Sequence, residues 1–316
     1  MTVDKPKISV VVPVYNSEGT LEELIRRLDK VLGGFAEDYE VILVNDGSPD
    51  HSWDIIKGLE RDNARVRGIN LMRNYGQHNA LLAGIRQAKF ELTVTLDDDL
   101  QNPPEEIPKL IDKFQEGYDV VFGKPAREQH RIWRNIASQV SKIVLKRAMG
   151  ADVARNISSF RVFRTCLRDA FHNYRGPFVS IDVLLTWGTT RFAAIPVQQD
   201  QRVIGTSSYT VTKLITHALN MMTGFSVVPL QFASLIGFLL TIFGFGVLLF
   251  VIGRYLIQGA VVQGFAFLAS IIAIFSGAQL FSLGIVGEYL ARMHFRMMNR
   301  PAYVIQKQDQ TERETC

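Results

Sequence analysis

Three consecutive aspartates, Asp97, Asp98 and Asp99, follow the run Glu91–Leu96, which is rich in β-branched residues. Adjacent carboxylates repel unless a cation or hydrogen-bond donors offset their charge. In extended backbone alternate side chains share a face, so Asp97 and Asp99 point one way and Asp98 the other. A carboxylate pair at that spacing suits a hard divalent cation, Mg2+ or Mn2+, that also grips a diphosphate. Gln101 continues the same face and offers a further oxygen. Such a group can neutralise charge as a diphosphate leaves.

The elements needed to position these residues are legible from periodicity. Ile8–Val14 is a continuous β-branched run, as a strand buried on both faces requires. Glu18–Leu32 carries Leu21, Leu24, Ile25, Leu28 and Leu32 at helical spacing. Strands follow at Tyr39–Val44, Val66–Leu71, Glu91–Leu96 and Tyr118–Gly123, with helices at Asp50–Glu60 and Gln77–Ala88 between them. Pro103-Pro104-Glu105-Glu106 opens a further helix with proline and acids in its first turn. This alternation predicts an α/β fold with a doubly wound, mostly parallel sheet. Ligands of such sheets bind beyond the carboxyl ends of the strands. Three polar segments fall there: Pro13-Val14-Tyr15-Asn16, Asn45-Asp46-Gly47-Ser48 and Asp97 to Gln101. A nicotinamide site would need Gly-x-Gly-x-x-Gly after the first strand, which Pro-Val-Tyr-Asn does not supply.

Composition narrows the class. The chain has 316 residues, 47% hydrophobic and 21% charged, which excludes a disordered or fibrous protein. Its net charge of +4 fits an anionic membrane surface or phosphate ligands. No zinc-ligand spacing, aromatic RNA-binding signature or long basic run points to nucleic acid. Cys166 and Cys316 are the only cysteines, so no disulfide framework is expected. Gln129–Met149 is amphipathic and basic, and reads either as a helix packed on the sheet or as one lying at a membrane interface with Trp133 at headgroup depth.

Residues 218–287 contain one formally charged side chain, Arg254. Within them Leu230–Gly253 and about Gly264–Gly287 each reach the roughly 20 apolar residues that cross a bilayer. Arg254 then belongs at the lipid–water boundary of the connection, beside Tyr255. Arg202 and Lys213 precede the pair, and Arg292, Arg296 and Arg300 follow it. That bias predicts a multi-pass membrane protein with the large domain and both termini cytoplasmic. The expected organisation is a catalytic domain over 1–200 and an acceptor loop with a juxtamembrane helix over 201–228. Two transmembrane helices over 229–290 and a tail over 291–316 complete it.

Several segments together resemble the GT-A glycosyltransferases of family 2. They are Leu71 to His78, Asp97 to Gln101, Asn102 to Pro108, Gly287-Glu288-Tyr289-Leu290 and Arg300-Pro301-Ala302-Tyr303. The chain is most similar to the polyprenyl-phosphate glycosyltransferase branch, which is like dolichol-phosphate mannose synthase, and the likeness runs through the hairpin. It implies an inverting, metal-dependent transferase with a nucleotide-sugar donor, UDP-linked by preference, a polyprenyl phosphate acceptor and a place in the bacterial inner membrane. Relatives that form tetramers imply a homo-oligomer. Pro13, Tyr15 and Asn16 would border the base and ribose. Asp46 would bind the base, Gly47 would belong to the nucleotide-sugar site, and Arg73 would lie beside the nucleotide. Asp97 and Asp98 would approach the donor, with Asp97, Asp99 and Gln101 as metal ligands.

This chain departs from the family pattern at three places. Ser17 stands where Glu is common, Ser159 where an Asp precedes Phe160-Arg161, and Ser208 where Gly-x-Ser-Lys-Tyr has its lysine. A general base therefore does not carry over to position 159. The phosphate nucleophile is already anionic, so positioning and charge neutralisation suffice. Asp97, Asp99 and Arg161 are the catalytic candidates. Arg161, Arg202 and Ser208 are the candidates for holding the acceptor phosphate. Two competing readings are a processive polysaccharide synthase and a non-catalytic nucleotide-sugar or lipid binder. The first wants Gln-x-x-Arg-Trp, whereas Gln199-Asp200-Gln201-Arg202 is followed by Val203. The intact Asp97, Asp99 and Gln101 disfavour the second.

Overall fold

The computed structural model describes residues 5–125, 157–176, 179–200, 228–258 and 264–307. The expected helix at Gln129–Met149, and Arg202 and Ser208, lie outside them. The chain forms two compact units, one of residues 1–211 with 300–316 and the other of residues 212–299.

Among the described residues the first unit is built on a sheet of seven strands. These are β1 (Lys7–Val14), β2 (Asp38–Asn45), β3 (Val66–Asn70), β4 (Leu92–Thr95), β5 (Val120–Pro125), β6 (Arg161–Arg164) and β7 (Phe192–Val197). Their order is β3-β2-β1-β4-β6-β5-β7. β6 alone runs antiparallel, inserted between β4 and β5 with Arg161 opposite Thr95. Helices α1 (Leu21–Phe35), α2 (Ser52–Asp62), α3 (Gln77–Gln87), α4 (Ile107–Gln115) and α5 (Ile181–Leu185) connect and cover the strands.

Local sequence explains these elements. Every residue of β1 after Lys7 is buried, because helices cover both faces of a central parallel strand. In α1 the apolar stripe Leu21, Leu24, Ile25, Leu28 and Leu32 is buried, and Glu22 and Glu23 occupy the first turn, where acids suit the helix dipole. Gly84 of α3 lies against β1 and β2, where a Cβ would meet Val11 at 2.4 Å and Val44 at 3.0 Å. A glycine there sets the depth at which α3 seats on the sheet.

The second unit holds α6 (Val228–Gln258) and α7 (Phe265–Met297). Leu230–Arg254 and Ile274–His294 are long and apolar enough to cross a membrane, with mean hydropathy 2.8 and 1.3. Phe238, Phe243, Phe250 and Leu283 are exposed, the reverse of a core helix. The helices touch through Gly244, where a Cβ would stand 2.8 Å from the Phe275 ring. α7 continues past the expected end at Gly287, and Arg292 pairs with Glu288 one turn earlier at 2.7 Å.

Candidate active site at the ends of β1, β2 and β4

The strand order reverses between β1 and β4, and an open α/β sheet leaves a crevice at that point. β4 pairs with β1 only through Thr95, opposite Val11, so Val12, Pro13 and Val14 extend beyond it. The Val11 carbonyl accepts from Leu96, so the backbone of Val11, and of Pro13 two residues on, faces the β4 side. Proline is tolerated in this central strand because its missing N–H faces a stretch without a ladder partner. The aspartate loop leaves β4 into that notch.

Each aspartate has different partners. Asp98 accepts from the Tyr15 amide at 3.0 Å and from the Ser17 hydroxyl, which ties the loop to the end of β1. Burial pushes its carboxyl up to about 6, helped by the charges of Asp97 and Asp99, while the bonds from Ser17 and Tyr15 pull it down. Asp97 turns elsewhere. It accepts from the side-chain amide Nε2 of Gln77 at the start of α3 and from the Ser159 hydroxyl just before β6. Asp99 accepts from the Gln101 amide at 3.1 Å. Leu100 between them has φ +60, a left-handed turn that a branched side chain rarely adopts. After β7 the chain crosses this loop, with the Asp200 amide donating to the Gln101 carbonyl at 3.0 Å.

Asp98 and Asp97 thus point to different partners, though the chain turns at Asp98 and Asp99 where extended backbone was expected. Ser159 places a donor beside Asp97 where an aspartate would place a second negative charge. Among the described residues no three His, Cys, Asp or Glu converge on one point. Mg2+ sites commonly use one or two carboxylates, with phosphate oxygens and waters completing the shell. Asp97 and Asp99 are the carboxylates of this loop that could hold such an ion.

A second corner joins β2 to the β3–α3 loop. Both Asp46 oxygens are engaged, accepting from the Tyr75 amide at 2.7 Å and the Gly76 amide at 2.8 Å. The side chain is buried, which raises its pKa, and these two amides and the Arg73 charge oppose the rise. Asp46 was expected to bind the base; its carboxylate instead holds the loop. Gly47 has φ +66, and a Cβ there would meet the Arg73–Asn74 peptide at 2.6 Å. Arg73 itself is exposed, its guanidinium 4.3 Å from the Tyr75 ring centroid. Tyr15 is 51% exposed and Asn16, with φ +58, is exposed beside it, its amide bonded to the Ser48 hydroxyl at 3.2 Å. Tyr15, Asn16 and Arg73 thus offer free surface at the strand ends, whereas Pro13, Asp46 and Gly47 shape what lies beneath.

Arg161 requires a correction. It was expected to clamp an acceptor phosphate, yet it is 1% exposed. Its guanidinium pairs with Asp182 of α5 and donates from Nε to the Thr95 hydroxyl at 3.1 Å. Thr95 in turn donates to the Ser159 carbonyl at 2.6 Å. Arg161 is a buried strut beneath the Asp97 partner Ser159. Its burial follows from the antiparallel insertion of β6, which turns the side chain between β4 and α5. Asp182 and Gln77 were not singled out from the sequence, and Ser17 stood out there only as a departure from the family pattern. Only their distance partners give them a role, and no local pattern marks those partners.

The comparisons with known proteins agree with this fold. The model for "Glycosyl transferase family 2" matches residues 9–174. This chain belongs to glycosyl transferase family 2. It is 35% identical over 304 residues to the undecaprenyl-phosphate 4-deoxy-4-formamido-L-arabinose transferase of Klebsiella pneumoniae, covering 95% of this chain and 93% of that protein. The proteins of that name from Pseudomonas aeruginosa and Pectobacterium carotovorum are also 35% identical, over 95% and 97% of this chain and 89% and 95% of theirs. The family-2 chain is therefore a sugar-transferring enzyme related to undecaprenyl-phosphate sugar transferases. Among solved structures, glucosyl-3-phosphoglycerate synthase from Mycobacterium tuberculosis, crystallised with Mn2+ and UDP-glucose, superposes with a TM-score of 0.51 at 18% identity. That match covers 69% of this chain and 77% of the other, and supports the GT-A-like fold.

Proposed function

We propose that this family-2 enzyme transfers a sugar from a nucleotide-sugar, UDP-linked by preference, to a polyprenyl phosphate such as undecaprenyl phosphate. The observation that carries the reading is the junction of three strand-end segments at the β1/β4 crevice, with Asp98 tied to β1 and Asp97 turned toward the start of α3. The near full-length likeness to the undecaprenyl-phosphate transferases supports the lipid acceptor. The exposed apolar helices α6 and α7 support insertion in a bilayer, where such an acceptor resides. The charge bias of their flanks favours a cytoplasmic catalytic unit.

In this reading an acceptor phosphate oxygen attacks the anomeric carbon with inversion, and the bond from that carbon to the nucleoside diphosphate breaks. A phosphate monoester is ionised at neutral pH, so the step needs little proton abstraction. That accommodates Ser159, whose hydroxyl is committed to Asp97. A divalent cation held by Asp97 and Asp99, with Gln101 nearby, would offset the charge growing on the leaving diphosphate. Asp46 and Gly47 fix the loop that presents Arg73, and Tyr15 and Asn16 border the nucleotide. Arg202 and Ser208 remain the candidates on the acceptor side.

The test incubates membranes containing the protein with Mg2+ or Mn2+, undecaprenyl phosphate and a panel of nucleotide-sugars. A lipid-linked monosaccharide is the expected product with at least one donor. Folded protein that yields none with any donor refutes the reading.

A further inference from the structure

After α7 the chain returns to the first unit and closes the open edge of the sheet. β3 is the edge strand, and just beyond it the Asn70 carbonyl and Met72 amide face away from β2, because the Leu71 amide between them already donates to the Asn45 carbonyl at 3.0 Å. The tail supplies both missing partners. Met72 donates to the Val304 carbonyl at 2.9 Å, and Gln306 donates to the Asn70 carbonyl at 2.8 Å, bracketing an antiparallel bridge between Leu71 and Ile305. Side chains repeat the link: Gln306 accepts from Asn70, and Asn70 accepts from Asn45, the residue preceding Asp46, both at 2.7 Å. A second tether lies at Tyr303, whose ring centroid is 5.6 Å from the Arg86 guanidinium. Arg86 is fixed in turn by the Tyr174 carbonyl at 2.7 Å.

The loop from Leu71 to Gly76 is thus held at both ends. Asp46 grips Tyr75 and Gly76, and the tail grips Asn70 and Met72. Arg73 stands between the two grips. We propose that the tail strand at Val304–Gln306 is a positioning element for donor binding, acting through the backbone of Leu71 and Met72 to set the placement of Arg73. This rests on the donor reading of Arg73 given above. Without the tail two outward backbone groups at Asn70 and Met72 turn to water, and the loop loses its outer restraint.

Gln306→Pro in the full chain removes the donating amide, whereas Gln306→Ala keeps it and deletes only the side-chain bond. UDP binding is measured with Mn2+ by titration calorimetry, and KM and kcat are measured alongside. Loss of one backbone hydrogen bond corresponds to a change of about fivefold to tenfold. Gln306→Pro therefore weakens UDP binding and raises the donor KM by about that factor, with kcat within about twofold and the acceptor KM unchanged. Gln306→Ala stays near the parent. Tyr303→Ala, which releases the other tether, reproduces the donor-specific effect. Parent-like UDP affinity in both Gln306→Pro and Tyr303→Ala overturns the positioning role. Equal losses in both substrates overturn it too, since they mark general destabilisation. A parent chain that binds no UDP overturns the donor reading itself, and this inference with it.

Discussion

Asp46→Ala is the most informative single change at the site. The carboxylate accepts from two loop amides, Tyr75 at 2.7 Å and Gly76 at 2.8 Å. Hydrogen bonds to a charged group contribute about 1.5–3 kcal/mol each. Tyr75 and Gly76 are only partly buried, so water reaches the freed amides and the low end applies to each. The expected cost of Asp46→Ala is then about 3 kcal/mol. Asp46→Asn keeps one acceptor but turns its amide toward the other N–H, for a cost of about 2 kcal/mol. For a unit of this size each kcal/mol lowers the melting midpoint by about 2–4 °C. Detergent-solubilised Asp46→Ala should therefore melt about 6–12 °C below the parent, and Asp46→Asn about 4–8 °C below. UDP affinity should fall in the same order, because Arg73 and Tyr75 lose their placement. If instead the carboxylate reads the base, Asp46→Asn melts like the parent and changes which nucleotide is preferred. That pattern would refute the loop-holding argument.

Three further outcomes follow from the same geometry. Gly47→Ala forces a Cβ to within 2.6 Å of the Arg73–Asn74 peptide at φ +66 and should cost about 2–3 kcal/mol, read as a lower melting midpoint with weakened UDP binding. Arg161→Ala strands the Asp182 carboxylate and should cost about 3–5 kcal/mol, whereas Arg161→Met with Asp182→Leu should recover much of that stability without restoring full turnover. Asp119 is pulled up by burial, but hydrogen bonds from Arg191, Thr189 and Arg164 outweigh this and hold it at about 2, below its ordinary 3.8. A depressed carboxyl contributes stability above pH 3.8 that is lost as pH falls toward 2. Because Arg164 and Arg191 are exposed, the contribution is about 1–2 kcal/mol after solvent screening. Acid unfolding of Asp119→Asn should lack that component between those values, and a parent-like acid profile would contradict the assignment.

Much of this protein could be read from its sequence because the signals are local. Strand and helix periodicity located β1 to β4 and α1 to α3 to within a few residues, since burial on one stripe or both faces writes itself into consecutive side chains. The apolar length of α6 and the start of α7 follow from bilayer thickness alone. Asp98 does diverge from Asp97 as expected, but the chain turns at Asp98 and Asp99 instead of staying extended, which local periodicity did not disclose. What the chain could not disclose were pairings across long separations. β6 enters the sheet antiparallel between β4 and β5, and only that placement buries Arg161 against Asp182 instead of offering it to a phosphate. Asp46 looks like a free carboxylate at a strand end until the β3–α3 loop, nearly thirty residues on, closes over it. Residues 300–307 look like a solvated tail until the edge of β3 supplies hydrogen-bond partners more than two hundred residues away. Such contacts depend on which backbone groups the folded sheet leaves unpaired, and that is decided only when distant segments meet in three dimensions.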